Sequence, residues 1–245
     1  MAYLFVHGVR TASGGRLPYR RLEHMTGKQT PLPQPASEPR LYRGVSAADR
    51  SAQRRAQLME AGLELFGTDG YAGTSIRAVS ATAGLNTRYF YESFASREDL
   101  LYHVYAQIIR EVAEAVVAVT ESASDTEEQA HEGLRVAWSI LTDDPRKARI
   151  VALEVVAVSE RLERLRRDNR HAFAELLLRN TRLIHGEGIE PRLDPVLTAR
   201  SLMGAVVETL VDWINGDLDA TVEEIVDFFT KLFVAVAQAA IAPAG

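Results

Sequence analysis

Gly84 constrains this chain more than any other single residue, because it divides the stretch from Thr74 to Ser93 into two short helical patterns. A glycine inside a helix costs about 1 kcal/mol relative to alanine, so it marks a turn more readily than a helix interior. Before it, Ile76, Val79 and Ala83 recur at i, i+3 and i+7, which predicts a helix from about Ser75 to Thr82 with Thr74 or Ser75 as its N-cap. After it, Asn86 caps a second helix that ends near Ser93. Ser96 and Asp99 have the spacing of a capping box and open a longer helix to about Thr120. Upstream, Leu58, Gly62, Leu65 and Phe66 share one helical face, and Gly70 ends that helix. Three helices with a tight glycine turn make a helix-turn-helix unit, in which a small residue lets two helices cross closely at about 90–120°.

Such a unit presents polar side chains from the start of its last helix to the DNA major groove. Asn86, Thr87, Arg88 and Tyr89 occupy that start. Arg can donate two bonds to guanine, while Asn, Thr and Tyr can meet bases or phosphates. The helix starts near residues 75 and 97 offer backbone amides to phosphate oxygens, and Thr74 and Arg97 stand at those ends. Phe90 and Phe94, four apart, read as core. Glu92 would repel phosphates unless it pairs with Arg88, four residues away. Arg54 and Arg55 fit either phosphate contacts or ordinary surface charge.

Charge is unevenly spread along the chain. Residues 1–50 carry eight Lys/Arg against three Asp/Glu, residues 51–105 five against six, and residues 106–245 fifteen against twenty-four. Residues 51–105 are thus not a basic patch overall, which weighs mildly against strong nonspecific DNA affinity. Gly14-Gly15, Pro18 and the prolines at 31, 33, 35 and 39 break any period, so residues 1–48 are expected to be a disordered basic leader. Beyond residue 102 the chain reads as helical throughout. Helices are expected at about 127–141, from Pro145 to about His185 with a bend near Ser159, at about 196–214, and from about Thr221. A linker is expected over 186–195. With 47% hydrophobic residues, no cysteine and no apolar run of membrane-spanning length, the chain is expected to be soluble and cytoplasmic.

The run from Arg50 to Leu101 resembles the DNA-binding domain of the TetR (tetracycline-repressor) family. The pieces that carry the resemblance are Leu65-Phe66 with Gly70-Tyr71, Thr74-Ser75-Ile76-Arg77, Ala83-Gly84-Leu85, Phe90-Tyr91-Glu92-Ser93-Phe94 and Ser96-Arg97-Glu98-Asp99-Leu100-Leu101. The resemblance implies an all-α fold: an N-terminal three-helix helix-turn-helix DNA-binding domain at 49–101, then a helical ligand-binding and dimerisation domain at 102–245. It makes Thr74 and Tyr91 phosphate contacts, puts Arg77 near the backbone or a base, and leaves Thr87, Arg88 and Tyr89 to read bases. It also implies a homodimer on a pseudo-palindromic operator in double-stranded DNA, with Trp213, Phe229 and Phe233 as interface candidates. A largely apolar small-molecule effector would bind among Tyr102, Trp138, Leu141, Glu154, His171, Phe173 and Met203.

No catalytic motif competes with this reading. There is no metalloprotease helix, Walker loop or nucleotide-binding glycine fingerprint, and His171 and His185 lie too far apart to share a metal. No cofactor or metal is expected, and enzymatic activity is not. The alternative is a helical interaction module whose DNA head is vestigial, favoured by Glu92 and by the acidic balance of residues 51–105.

Overall fold

The computed structural model describes residues 46–121, 123, 125–185 and 193–241. All of these fall in one unit, Arg40–Gly245. The expected leader therefore lies outside the described residues except for its last three. Those three are not disordered: Ser46 caps the first helix, which starts at Ala47. Most of the expected linker, residues 186–192, also lies outside.

Helix α1 spans Ala47–Thr68. The Ser46 hydroxyl accepts from Asp49 N at 3.0 Å, and the Asp49 carboxylate accepts from Ser46 N at 3.2 Å. Gly70 ends α1 at φ +78°, the left-handed region that glycine alone enters without strain. It then opens α2, a single turn over Gly70–Gly73 that the sequence pattern did not announce. Helices α3 (Ile76–Thr82) and α4 (Thr87–Ser93) follow, and α5 runs over Arg97–Thr120. Ser96 accepts from Asp99 N at 3.1 Å, but Asp99 returns a bond to Ala95 N rather than to Ser96, so the expected capping box is only half closed.

The second half comprises α6 (Thr126–Thr142), α7 (Pro145–Arg149), a π turn over Ile150–Glu154, α8 (Glu160–His185), α9 (Pro195–Asn215) and α10 (Val222–Ile241). The single helix expected from Pro145 to His185 is broken rather than bent. The helix widens into the π turn, then leaves helical form around Ala157, whose φ is +57°. No described helix is long and apolar enough to cross a membrane.

Two apolar clusters hold these helices. The first gathers Leu58 and Phe66 of α1, Val79 of α3, Phe90 and Phe94 at α4, and Leu100, Leu101 and Val104 of α5. Ile150, Val155 and Leu162 close it from the π turn and the start of α8. Each such side chain contributes roughly 1.5–3 kcal/mol on burial. The second cluster joins Trp138 of α6, Leu210 of α9, and Ile225, Val226 and Phe229 of α10.

Candidate nucleic-acid interface

The turn before α4 depends on conformation, not on space. Gly84 has φ +66°, and a Cβ built there would meet nothing within 4 Å. The expectation that a small residue is needed for close helix crossing is therefore corrected: glycine is needed for its left-handed backbone. That backbone lets Leu85 N bond Ser80 O at 2.9 Å, and it brings Asn86 into line with the next helix. Asn86 Oδ1 accepts from Arg88 N at 2.9 Å, a true N-cap.

Helix α4 is anchored by its aromatics. Phe90 and Phe94 are buried, with ring centroids 5.8 Å apart. Arg55 of α1 lays its guanidinium 4.2 Å over the Phe94 ring and donates to Ser93 O at 2.7 Å. A cation bonded to the last carbonyls suits the negative end of a helix. Arg55 is thus a brace for α4.

Away from this anchor, Asn86, Thr87 and Arg88 are exposed, as is Arg77 on α3. Tyr91 is 63% exposed, its ring edge-on to Phe90 with centroids 5.6 Å apart. Tyr89 is half-buried, with Arg54 of α1 stacked 4.5 Å from its ring centroid. Arg88 Nε donates to Glu92 Oε1 at 3.0 Å, so the pairing on which Glu92 depended is present. An exposed i,i+4 pair of this kind contributes only about 0.3–0.5 kcal/mol to stability.

Two expected phosphate contacts are placed otherwise. Thr74 is only 2% exposed, and its hydroxyl donates to Gly70 O at 2.8 Å, which leaves no free donor for DNA. Arg97 donates to Thr74 O and lies 4.1 Å over the Tyr71 ring. The two residues build the corner between α2, α3 and α5.

A short segment of the second half grips this head. Arg146 of α7 forks onto Asp144 through Nε at 2.8 Å and Nη2 at 2.7 Å, and donates to Glu64 of α1 at 2.5 Å. These hydrogen bonds, Asp144 first and then Glu64, raise the Arg146 pKa further above its ordinary value. Glu154, expected in a ligand pocket, is instead delivered by the π turn to the head. Its carboxylate accepts from Tyr71 N at 2.6 Å and from Arg149 Nε at 2.9 Å, beneath Gly70. Ser159 donates to Glu98 at 2.7 Å and Arg161 to Asp99 at 2.8 Å. Burial works to raise the Asp99 pKa, but the bonds from Arg161 and Ala95 N hold it below the usual carboxylate range.

The remaining expected ligand residues are spread over α5, α6, α8 and α9. Trp138 is 2% exposed in the second cluster, its ring edge to Trp213. Leu141 packs between the two clusters. Tyr102 is covered by the Arg161 guanidinium at 3.9 Å. His171, Phe173 and Met203 are half-buried on α8 and α9. A polar cavity of about 470 Å³ between α6 and α10 is lined by Asp125, Glu127, Glu128, His131, Asp227, Thr230 and Lys231, and by none of the seven. Among the described residues, no group of three or more His, Asp or Glu could hold a metal ion.

Two polar residues missed in the sequence stand out in the interior. Tyr105 of α5 is 4% exposed, and burial pushes its hydroxyl above the ordinary range while nearby Asn169 of α8 opposes the shift. Among the described residues, Asn169 Nδ2 is the one buried side-chain nitrogen without a hydrogen-bond partner. Neither residue sits in a motif that could have flagged it.

The interface candidates Trp213, Phe229 and Phe233 all make contacts within their own chain. Phe229 is 2% exposed and belongs to its own chain's core. Trp213 donates its indole N–H to Ala220 O at 3.0 Å, and Phe233 packs on Phe229 with centroids 6.2 Å apart. The outward aromatic is Phe228, 61% exposed, with Leu197 of α9 at 66%.

Residues 58–104 match the family described as bacterial regulatory proteins, tetR family. The HTH-type nicotine-responsive transcriptional repressor HdnoR of Paenarthrobacter nicotinovorans is 20% identical over 94 residues, covering 38% of this chain and 48% of that protein. The matched stretch thus spans about half the length of that curated relative. The fatty acid degradation regulator FadR of Bacillus halodurans superposes with a TM-score of 0.65 at 18% identity, over 74% of this chain and 94% of that one. FadR of Bacillus subtilis, in complex with stearoyl-CoA, gives 0.64 at 17% identity, over 74% and 98%. A putative TetR-family regulator of Syntrophomonas wolfei gives 0.65 at 20% identity, over 76% and 95%. At these identities the structural likeness is one of fold.

Proposed function

We propose, from the match of residues 58–104 to the tetR family of bacterial regulatory proteins, that the chain is a ligand-responsive, DNA-binding transcriptional regulator acting as a homodimer in the cytoplasm. The observation that carries this reading is the outer face of α4: Asn86, Thr87 and Arg88 stand exposed on a helix whose opposite face is locked by Phe90. That is the geometry of a recognition helix, rigid behind and polar in front. Thr87, Arg88 and Tyr89 read base edges in this proposal, while Arg77 and Tyr91 position the head on phosphates. The pairing of Glu92 with Arg88 removes the repulsion that favoured a vestigial head.

The functional division we propose places DNA binding in residues 49–101 and ligand binding and dimerisation in 102–245. Phe228 and Leu197 give α9 and α10 an outward apolar face for a second copy. A two-fold dimer would set two recognition helices on a pseudo-palindromic site. The effector would be a largely apolar small molecule with a polar group for Asn169, and the role regulatory rather than catalytic. Repression relieved by that molecule is the form of regulation we infer. Arg146 and Glu154 would carry the signal, since they tie α7 and the π turn to α1 and α2. Coupling of this kind is reciprocal, so DNA would weaken effector binding by the same factor that effector weakens DNA binding.

Selection from a random DNA library at about 150 mM salt, where long-range charge attraction is largely screened, tests the reading. A pseudo-palindromic consensus is expected. Enrichment of no sequence at that salt would end the proposal.

A further inference from the structure

Helix α4 carries a carboxylate on the face that would meet DNA. At about 100° per residue, Arg88 and Glu92 stand two positions either side of Phe90 and share the face opposite that buried ring. A negative charge there opposes the phosphate backbone, yet its contribution to helix stability is small. Both of its oxygens are engaged. Oε1 accepts from Arg88 Nε at 3.0 Å, and Oε2 lies 3.9 Å from Arg54 Nη2. Arg54 in turn stacks 4.5 Å from the Tyr89 ring centroid. Tyr89, Arg54, Glu92 and Arg88 therefore form one continuous run from α1 to the exposed tip of α4.

This run restricts what Arg88 can do. Its side chain is 83% exposed, and without Glu92 it would be free to pair with any phosphate within reach. With Nε held by Glu92, the donors left on Arg88 are the two terminal nitrogens, which are able to bond guanine O6 and N7 end-on. The carboxylate also competes with phosphate for the guanidinium.

We propose that Glu92 is a specificity-determining positioning residue. It aims Arg88 for end-on reading of one guanine and reduces the head's attraction for DNA at large, and Arg54 anchors it to α1. The inference rests on the DNA-binding reading above.

The test is a position-by-position preference profile for the full chain, with affinity for selected and random DNA. The proteins are the natural sequence, Glu92→Gln, Arg88→Ala and the double variant. Glu92→Gln keeps the size and removes the charge. It should raise affinity for random DNA about two- to five-fold, the effect of one charge fewer against phosphate. It should also lower preference about five-fold at the same base pair that Arg88→Ala affects. In the Arg88→Ala background it should change that pair no further. Arg54→Met should shift the profile in the same direction by less.

Uniform weakening of all sites by Glu92→Gln, with a lower melting temperature, would mean a structural role and overturn the inference. A changed preference at a pair that Arg88→Ala leaves alone would mean that Glu92 reads a base itself, and would overturn it equally. If the natural sequence selects no site, the DNA-binding reading fails instead.

Discussion

Replacing Gly67 with alanine pits two effects of known size against each other. Gly67 lies one residue from the end of α1, and the change should strengthen that helix by about 1 kcal/mol. Its Cβ, however, would stand 2.7 Å from the Arg146 Cα and 2.9 Å from its Cγ, and nearer still to its Cβ. Carbon atoms rest at about 3.5–4.0 Å, so α7 would have to back away by the better part of an ångström. A side-chain tip could swing aside, but here backbone must move. Overpacking of this kind costs about 1–3 kcal/mol, and the upper end applies. The same shift strains the Arg146 bond to Glu64. The net expectation is a loss of about 1–2 kcal/mol, or roughly 2–8 °C in melting temperature for a chain of this size. Two other glycines calibrate the measurement. Gly73 faces only Asp69 Cβ at 3.6 Å, so Gly73→Ala should be neutral or stabilising. Gly62 faces Leu100 side-chain atoms at 3.0–3.3 Å and should fall between. Circular dichroism melts of the three variants give the order directly. If Gly67→Ala melts at or above the natural sequence, the close α1–α7 seat is refuted.

Three further outcomes follow from the placement of single side chains. Phe228→Asp should yield a folded monomer in light scattering, whereas Phe229→Ala should cost about 3–5 kcal/mol of stability by emptying the core; the reverse assignment would show that α10 faces the other way. Thr74→Val should destabilise by about 1–3 kcal/mol, because Gly70 O loses its partner, and should leave the DNA affinity of the folded protein unchanged. A uniform weakening across all DNA sites would instead restore Thr74 to phosphate. Burial, and then the charge of Arg55, hold the His103 pKa below 6.5 against the pull of Asp99. Its depressed folded pKa means that protonation favours unfolding, so stability is full well above pH 6.5 and falls as pH drops through that value toward the folded pKa. His103→Asn should flatten the loss between about pH 7 and pH 5 in urea titrations, and an unchanged slope would exclude His103 as its source.

What could be read from the sequence was local. Ser75, Asn86 and Ser96 cap their helices by bonds that span two or three residues, and such bonds leave their signature in a short window. The start of α4 and its buried Phe90 followed from spacing alone. What could not be read was set by distant partners. Ile150 to Ser159 holds no glycine or proline and reads as uninterrupted helix. Its break belongs with Glu154, which reaches Tyr71, 83 positions away in the chain. Thr74 stood at a helix start, where a hydroxyl is easily assigned to phosphate, but the direction of its side chain is fixed by Gly70. Phe229 is an interface candidate through the family resemblance, but its ring packs in the chain's own Trp138 cluster, so the neighbour at 228 is the one left outside.

The π turn has a consequence for how such chains diverge. A π turn amounts to an α-helix that has accommodated one extra residue. Deleting one residue within Ile150–Glu154 would remove the bulge that delivers Glu154 to α2 and leave the segments on either side in place. Every helix could survive that deletion, and so could the face of α4, but the Glu154 carboxylate would no longer meet Tyr71. Two descendants of one ancestor could then share a fold while only one kept the π turn tied to α2, with a single codon as the difference between them.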